Sequence, residues 1–494
     1  MCDETQELLR LQELRRQNDV SCTNLPIIYD TNQGDDVVGS KRHTWVLFSV
    51  MGGLIYGYNV SLAATLQYIC NNLSLSSTQE EVLSATATLS DACSMLVGGY
   101  VADRFGRKVT AMFACLCSII GALMAGIASS SFLLLVLWRL CSGVGNGLSI
   151  LLLPMYISEC VDTASRGVFL TLFQLGVNSG VALPYLFMII VSENWRACLA
   201  FGSLPALCVL YSFHVHFPES IKWLRWKEHS QDLENEVTDV LDEKSVHCVG
   251  IATVNMKSGR HGSYHHPKDQ DGAAFSSSSP TLSKSSASPN QYLELVIGLF
   301  LAYVNNCVDA SLFYGPEIVA KTSSSYSSRD ANIFGLLCSL VAVVSVVFAG
   351  RFVIPKFSRR QVYLTCLAVV CGCFVISGGI LAHYSADDVA RNATASTSIV
   401  ITIAVLNVFG AVGPNILFVV ILSELFQDNS YRARYMSYCT FAMSLISLLT
   451  NGSMLTLFET FGTAATFIAF GVSYVACLVF FWVYLPETKE RQLV

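Results

Sequence analysis

The chain has 494 residues, of which 53% are apolar and only 13% are charged, and its net charge is −6. Soluble domains carry about 25% charged residues, so this composition excludes an ordinary water-soluble protein. The basic residues form no concentrated run, which argues against nucleic acid as a partner.

Apolar residues are gathered into segments of about 20 residues, the length of a helix that crosses the hydrocarbon core of a lipid bilayer. They predict an all-α membrane protein with twelve transmembrane helices in two six-helix halves. The first half, 44–217, holds spans one to six, near 44–67, 80–102, 108–128, 132–157, 167–191 and 195–217. The second half, 291–485, holds spans seven to twelve, near 291–314, 331–354, 361–383, 397–426, 434–457 and 461–485.

Polar segments flank and join the two halves. Residues 1–43 are predicted to form an N-terminal tail and residues 486–494 a C-terminal tail. The loop 218–290 begins with a mixture of Leu, Trp, Glu and Lys that predicts short helices, and it continues as a Ser-rich stretch with the composition of a disordered linker. Such a loop allows the halves to rock against each other around a central site.

The cysteines are predicted to be packing residues. Most of the 18 lie inside apolar segments, where each acts as a small hydrophobic side chain. The close pairs, Cys115 with Cys117 and Cys371 with Cys373, do not have the spacing of a structural zinc site. We therefore expect no metal and no cofactor.

The basic residues also predict the orientation of the chain. If the spans alternate, most Lys and Arg residues fall on the side that holds both termini, so the positive-inside rule predicts cytoplasmic termini. The sequons at Asn72 and Asn392 then lie in loops on the other side and are candidate glycosylation sites. Residues 4–9 resemble an acidic dileucine signal for cytoplasmic sorting adaptors. The plasma membrane and an endosomal or vacuolar membrane both stay open as locations.

One charged loop and a series of short motifs are typical of one family of carriers. The loop between spans two and three reads Gly99-x-x-x-Asp103-Arg104-Phe105-Gly106-Arg107-Lys108. The other motifs are Gly53-Leu54-Ile55-Tyr56-Gly57-Tyr58-Asn59, Arg139, Pro154-x-Tyr156-x-x-Glu159, Arg166-Gly167, Gln174-Leu175-Gly176, Trp195-Arg196, Pro218-Glu219-Ser220-x-Lys222-Trp223-Leu224, Ser423-Glu424-Leu425-Phe426, Arg432 and Pro486-Glu487-Thr488-Lys489. Together they resemble the sugar porter family of the major facilitator superfamily.

This resemblance implies a carrier and not an enzyme. The carrier would move a hexose, a polyol or a similar small polar solute by alternating access. The resemblance also implies that acids at cytoplasmic helix ends pair with arginines from the opposite half, in pairs that form and break as the halves rock. The residues of this gating and structural charge network are Asp103, Arg104, Arg107, Arg139, Glu159, Arg166, Glu424 and Arg432.

Polar side chains inside spans five, seven and ten are the candidates for solute binding. Gln174 matches the sugar-binding glutamine of the family, and Asn178 lies one turn along the same helix face. Span seven lacks the paired glutamines of the family and presents other polar groups instead. An amide both donates and accepts hydrogen bonds, which suits a solute rich in hydroxyl groups. The candidate set is Gln174, Asn178, Asn305, Asn306, Asp309 and Asn415.

Charged groups inside the spans bear on coupling. Proton-coupled members of the family usually carry Asp where span one has Asn59, and an amide cannot exchange a proton at physiological pH. This favours facilitative uniport. Asp91 and Asp309 are candidate proton carriers, because carboxylates inside a membrane are rare. Two alternatives stay open: an ion-coupled carrier of a non-sugar or cationic solute that uses Asp309, and a transport-poor nutrient sensor on a carrier frame.

Overall fold

Helices are the regular elements throughout the part of the chain that the computed structural model describes. The structure describes residues 42–61, 63–127, 131–191, 194–232, 292–306, 328–384, 393–426 and 429–488. By their contacts, residues 1–47 and 48–494 form two units, and the contacts described below all lie within 48–494.

The helices of the first half begin and end close to the predicted spans. Span one consists of Arg42–Val60 and Ala63–Leu73, with a bend of 52° between them. Spans two to five are Ser77–Phe105, Arg107–Ile127, Phe132–Cys160 and Thr163–Ile190. Span six consists of Trp195–Phe201 and Ser203–Val215. Another helix, 221–232, follows it.

The helices of the second half also follow the prediction where they are described. Span seven is described over Tyr292–Asn306. Span eight is Ser328–Phe348, extended by a π-helical turn at Ala349–Val353, and span nine is Arg359–His383. Span ten consists of Ala393–Gly410, a π-helical turn at Ala411–Asn415, and Ile416–Leu425. Spans eleven and twelve are Asn429–Phe461 and Thr463–Tyr484.

Spans two and eleven are more polar than their neighbours because they pack against each other. Eight of the described helices are long and apolar enough to cross a membrane, or nine if the bent parts of span one count together, and spans two and eleven are not among them. The Ser437 hydroxyl in span eleven donates to the C=O of Met95 and to that of Leu96 at 3.1 Å. Ser444 donates to the Met95 thioether at 3.1 Å. These polar groups therefore meet partners in the other half of the protein.

Pro414 loosens span ten near its middle. It lies inside the π-helical turn Ala411–Asn415. Proline has no N–H to donate and its ring crowds the preceding turn, so it removes one hydrogen bond of the α-helical ladder. Turns of this type are frequent at functional sites in helices. The turn carries the predicted solute-binding residue Asn415, which is buried.

Glycines bring spans one and five into backbone contact. A Cβ added at Gly53 would collide with the C=O of Phe173, and one added at Gly57 would collide with the C=O of Val177. Small residues at helix interfaces let backbones approach closely in membranes. The glycine motif of span one thus places that helix directly beside the part of span five that carries Gln174.

We predict that Gly57→Ala lowers the thermal unfolding midpoint of the purified protein. The new methyl group overlaps the C=O of Val177, and overpacking costs about 1–3 kcal/mol. The matched control is Gly379→Ala in span nine, where an added Cβ has nothing within 4 Å and alanine is the better helix former by about 1 kcal/mol. Its midpoint should hold or rise. An equal fall in both variants would contradict the close packing of spans one and five.

Candidate functional site

The charged end of the first half is organised around Arg107, the first residue of span three. Its buried guanidinium forms ion pairs with Asp103 at 3.0 Å and with Glu159 at 3.3 Å. It also donates to the C=O of Ala102 at 3.0 Å. A buried cation is stable only when it is paired and hydrogen-bonded. Arg107 therefore ties the end of span two to the end of span four.

The segment that follows span six completes this arrangement. Glu219 accepts the backbone N–H groups of Arg107 and Lys108, each at 3.0 Å, and so caps the first turn of span three with a negative charge. The next residue, Ser220, donates its hydroxyl proton to Glu159 at 2.6 Å. We call Arg107, Glu159, Glu219 and Ser220 the first-half cluster.

The second half repeats this arrangement with different residues. Glu487 accepts the backbone N–H groups of Arg359 at 3.1 Å and of Arg360 at 3.3 Å, at the start of span nine. Thr488 donates its hydroxyl proton to Glu424 at 2.8 Å, and the Arg359 guanidinium lies 3.7 Å from the same carboxylate. We call Arg359, Glu424, Glu487 and Thr488 the second-half cluster.

Sequence reasoning identified one acid in each cluster, Glu159 and Glu424, and missed most of their partners. It assigned roles to Arg107, Glu159 and Glu424, but none to the other members. The sequence does contain a signal for these partners. Pro-Glu-Ser follows the last span of the first half, and Pro-Glu-Thr follows the last span of the second half. A repeat at equivalent places in two halves indicates equivalent contacts.

Arg432 of span eleven connects the two halves. Its fully buried guanidinium donates to the Ser158 hydroxyl in span four at 2.5 Å and to the C=O of Ser423 at 3.0 Å. A second, longer contact joins Arg434 to Asp103 at 4.0 Å. The two halves are thus in contact at the end that carries both clusters.

The direct ion pairs differ from those that the family resemblance implied. Glu159 and Glu424 each form their ion pair within their own half, with the arginine that begins the third span of that half. The arginines of the opposite half, Arg432 and Arg166, act on these acids through longer-range electrostatic attraction. The reason is geometric, because the capping glutamates hold the start of the third span beside each acid.

Two residues of the predicted network lie apart from the clusters. Arg104 is exposed, and its guanidinium lies over the Phe105 ring at 5.6 Å. Arg139 lies inside span four, buried, and donates to the C=O of Asn59 at 3.4 Å. Arg139 thus contacts span one rather than the charged ends of the helices.

Asp91, a candidate proton carrier, lies on span two opposite span four. Its Oδ2 accepts a hydrogen bond from Asn146 Nδ2 at 2.9 Å, and Arg139 acts on it electrostatically. Sequence reasoning named Asp91 and Arg139 separately and did not bring them together. Nowhere in the described part of the chain do three His, Cys, Asp or Glu side chains group as metal ligands.

The two solute-binding candidates of span five differ in their hydrogen bonding. Asn178 Nδ2 donates to the C=O of Gln174 at 3.1 Å, so its amide is partly used within its own helix. The Gln174 side chain is 6% exposed and makes no hydrogen bond among the described residues. Gln174 thus keeps a donor and an acceptor available to a solute.

The candidates of span seven contact span eleven. Asn306 donates to the C=O of Met443, and Asn305 lies 3.6 Å from the thioether of the same residue. These contacts connect two helices of the second half. Asp309 lies outside the described residues.

One of the two predicted glycosylation sites lies in the part of the chain that the structure describes. Asn72 is exposed near the end of the helix Ala63–Leu73. Asn392 lies outside the described residues. An exposed asparagine in a sequon has the access that glycosylation requires.

These helices and clusters define a multi-pass membrane protein of the carrier class. Residues 45–494 match the family described as "Sugar (and other) transporter". The chain belongs to this family, the sugar porters of the major facilitator superfamily, and has their fold of twelve transmembrane helices in two six-helix halves. Members of the family are transporters and not enzymes.

Individual relatives are similar over nearly the whole chain. "Probable polyol transporter 4" of Arabidopsis thaliana is 24% identical over 467 residues, which cover 90% of this chain and 82% of the relative. The arabinose-proton symporter of Bacillus subtilis (strain 168) is 25% identical over 462 residues, which cover 90% and 91%. The solved structure of the proton:xylose symporter XylE with bound 6-bromo-6-deoxy-D-glucose has a TM-score of 0.70 at 20% identity, covering 92% of this chain and 98% of that one. The structural likeness shows a shared fold.

We predict that Glu159→Gln and Glu424→Gln change the transport rate and leave the ranking of solutes unchanged. Each substitution removes a carboxylate from a buried arginine at the charged helix ends and leaves Gln174 untouched. Arg359 loses its ion-pair partner, at a cost of about 3–5 kcal/mol, whereas Arg107 keeps its pair with Asp103 and loses less. Glu228→Gln is the control, because Glu228 is exposed in the helix 221–232. Initial rates and competition by unlabelled solutes are measured in proteoliposomes. A changed ranking with a normal rate would contradict the assignment.

We predict a pH-dependent contribution to stability from Lys222, in the helix 221–232. Burial, together with the charges of Arg432 and Arg166, lowers the pKa of Lys222 from 10.5 to about 8, and Glu159 opposes this shift. Between these two pKa values the unfolded state binds the proton and the folded state does not, so stability rises with pH there. Below pH 8 both states are protonated and the contribution is constant.

The comparison is between the native chain and Lys222→Met. The thermal midpoint of the native chain, relative to the variant, should be constant up to about pH 8 and then rise towards pH 10.5. Thermal unfolding of both proteins across this range measures the difference. A difference that falls with rising pH would show that the charged form of Lys222 is the one the fold favours.

Proposed function

We propose that the protein carries a hexose, a polyol or a similar small polar solute across a membrane by alternating access. The observation that carries this proposal is the pair of equivalent clusters, one at the end of each half, with Arg432 between them. The contact of Arg432 with Ser158 holds the two halves together at this end, and its loss allows that end to open. A protein that transports needs such an arrangement, whereas a transport-poor sensor does not.

The solute class is supported by chemistry and by similarity. The relatives are named for a polyol and for arabinose, and both are small solutes rich in hydroxyl groups. Gln174 offers an amide that no described protein group uses. Hydroxyl groups of a solute both donate to and accept from such an amide.

We propose the predicted organisation for the rest of the chain. The tails are 1–43 and 486–494, and the loop 218–290 joins the halves 44–217 and 291–485. The positive-inside rule supports cytoplasmic termini, which puts both clusters at the cytoplasmic end. Asn72 then faces the other side of the membrane, where it is available for glycosylation.

Two coupling modes are candidates. Facilitative uniport is favoured by Asn59, whose amide donates to the C=O of Ile55 at 2.9 Å within its own helix and offers no titratable group. Ion-coupled transport is favoured by a different observation, the carboxylate of Asp91 inside span two with Arg139 acting on it. Asp91 is described by the structure, whereas Asp309 lies outside the described residues and stays a candidate.

We predict that Gln174→Leu weakens solute binding while leaving the unliganded protein as stable as before. Losing the amide leaves a solute hydroxyl unpaired, which costs about 1–3 kcal/mol of binding free energy. The purified protein is screened by thermal shift against D-glucose, L-arabinose and myo-inositol. A solute at 100 times its Kd contributes about 2.7 kcal/mol of stability, which is readily measured.

Asn306→Leu is the matched comparison. Its amide donates to the C=O of Met443, so its loss should lower the midpoint of the unliganded protein. A Gln174→Leu variant that unfolds earlier without ligand and binds as tightly as the native chain would contradict the role of Gln174. A native chain that responds to none of the three solutes would count against the proposed solute class.

A further inference from the structure

Asp91 is buried in a close contact between spans two and four. A Cβ at Gly143 would lie 2.7 Å from the C=O of Ala87, and one at Gly147 would collide with the backbone of Asp91. These two glycines let the helices approach until Asp91 is only 5% exposed. The carboxylate is therefore enclosed by packing in this conformation.

The carboxylate has less pairing than its burial requires. Oδ2 accepts from Asn146 at 2.9 Å, whereas Oδ1 is enclosed and accepts no hydrogen bond among the described residues. Arg139 is the one charged group of the described chain that acts on Asp91, and the two are not in ion-pair contact. The Nε of Arg139 is likewise enclosed and donates to no described group. The carboxylate and the guanidinium thus interact electrostatically, while each keeps one enclosed polar atom without a hydrogen bond among the described residues.

A polar cavity borders Arg139. Its volume is about 20 Å³, and its lining includes Asn59, Ser61, Thr65 and Ser142. About 10–15 Å³ is enough to hold one water molecule. The cavity lies towards the end of the spans that is opposite to the two clusters. A water molecule there would have several polar partners and would stand next to the guanidinium.

We propose that Asp91 is a proton-binding site that couples the movement of the solute to the movement of a proton. The inference rests on the proposed carrier function. A proton from water binds to Oδ1, the carboxylate becomes a neutral carboxylic acid, and the new O–H is a donor. The attraction between Asp91 and Arg139 is present without the proton and absent with it.

A proton fits this site better than a metal ion does. Hard cations take about six oxygen ligands, and the site offers the Asp91 carboxylate and the enclosed Oδ1 of Asn146. The positive charge of Arg139 acts at the same place and repels a second cation. A proton needs a single oxygen, and the unused Oδ1 provides it.

Arg139 connects this site to the proposed solute site. It donates to the C=O of Asn59, which follows the glycine motif of span one. Gly57 of that motif packs on the C=O of Val177, three residues after Gln174 in span five. A change in the attraction between Asp91 and Arg139 therefore acts on the helix that lies against the solute site.

The test uses the full chain in proteoliposomes that contain a trapped pH indicator. Labelled D-glucose, L-arabinose and myo-inositol are each offered in exchange for internal unlabelled solute and, separately, in net uptake. We expect net uptake of the exchanged solute to acidify the interior. Exchange without acidification would overturn the coupling inference and leave the carrier function standing. Uptake driven by a sodium gradient and not by a proton gradient would also overturn it.

Asp91→Asn locates the proton site. This variant should lose solute-driven acidification and concentrative uptake and should retain exchange, because exchange needs no net proton movement. The control is Glu294→Gln in span seven, away from both proposed sites. It removes a carboxylate that accepts a hydrogen bond from the Tyr431 hydroxyl at 3.4 Å. Solute-driven acidification should persist in this variant. Acidification that persists in Asp91→Asn would overturn the assignment.

A carboxylate swap separates a proton site from a merely structural residue. Asn59→Asp added to Asp91→Asn puts an acid on span one, where the backbone already contacts Arg139. Recovery of solute-driven acidification would show that a titratable partner of Arg139 is what coupling requires. A double variant that exchanges solute but does not regain solute-driven acidification would overturn the role assigned to Arg139 in coupling.

A measurement on the native chain applies even where a variant does not fold or no solute is exchanged. Dicyclohexylcarbodiimide reacts with protonated carboxyl groups in apolar sites. Peptide mass spectrometry should find Asp91 modified at low pH, with modification lost as the pH rises. Absence of modification at every pH would overturn the proton site. Failure of exchange alone, with pH-dependent modification of Asp91, would instead count against the solute class.

Discussion

A charged side chain withdrawn from water is stable only with an opposite charge or several hydrogen bonds, and this constraint organises the polar part of the protein. Arg107 meets it with two carboxylates and a backbone C=O. Arg432, which is fully buried, satisfies it through one nitrogen, Nη2, which donates to a hydroxyl and a backbone C=O, and through the charge of Glu159, while its Nε and Nη1 have no described partner. Asp91 meets it only in part. The best-paired charges lie at the helix ends, and the least-paired carboxylate lies inside a span.

The division of contacts between and within the halves explains how a closed end can open. Glu159 and Glu424 keep their direct ion pairs inside their own halves. The charged groups that bond across the halves at this end are Arg432, to the Ser158 hydroxyl, and Arg434, to Asp103 at 4.0 Å. Separation of the halves therefore breaks weaker contacts and leaves the acids paired.

Glycine plays a second part, by setting which helices move together. Spans one and five are joined at Gly53 and Gly57, where backbone meets backbone, and spans two and four are joined in the same way at Gly143 and Gly147. Pairs of helices in such close contact cannot slide without collision. Each joined pair therefore moves as one unit when the halves rock or when the charge of Asp91 changes.

The sequence by itself determined the number and placement of the spans, because a bilayer admits only helices of about 20 apolar residues in a chain of this kind. It also identified Gln174, Asp91, Glu159 and Glu424, since polar groups stand out within apolar segments. Only the tertiary structure decided which groups meet. Ser220 reaches Glu159, Asn146 reaches Asp91, and Asn178 turns back to its own helix. Such choices depend on distances of a few ångströms between helices far apart in the chain, and a linear pattern contains no measure of those distances.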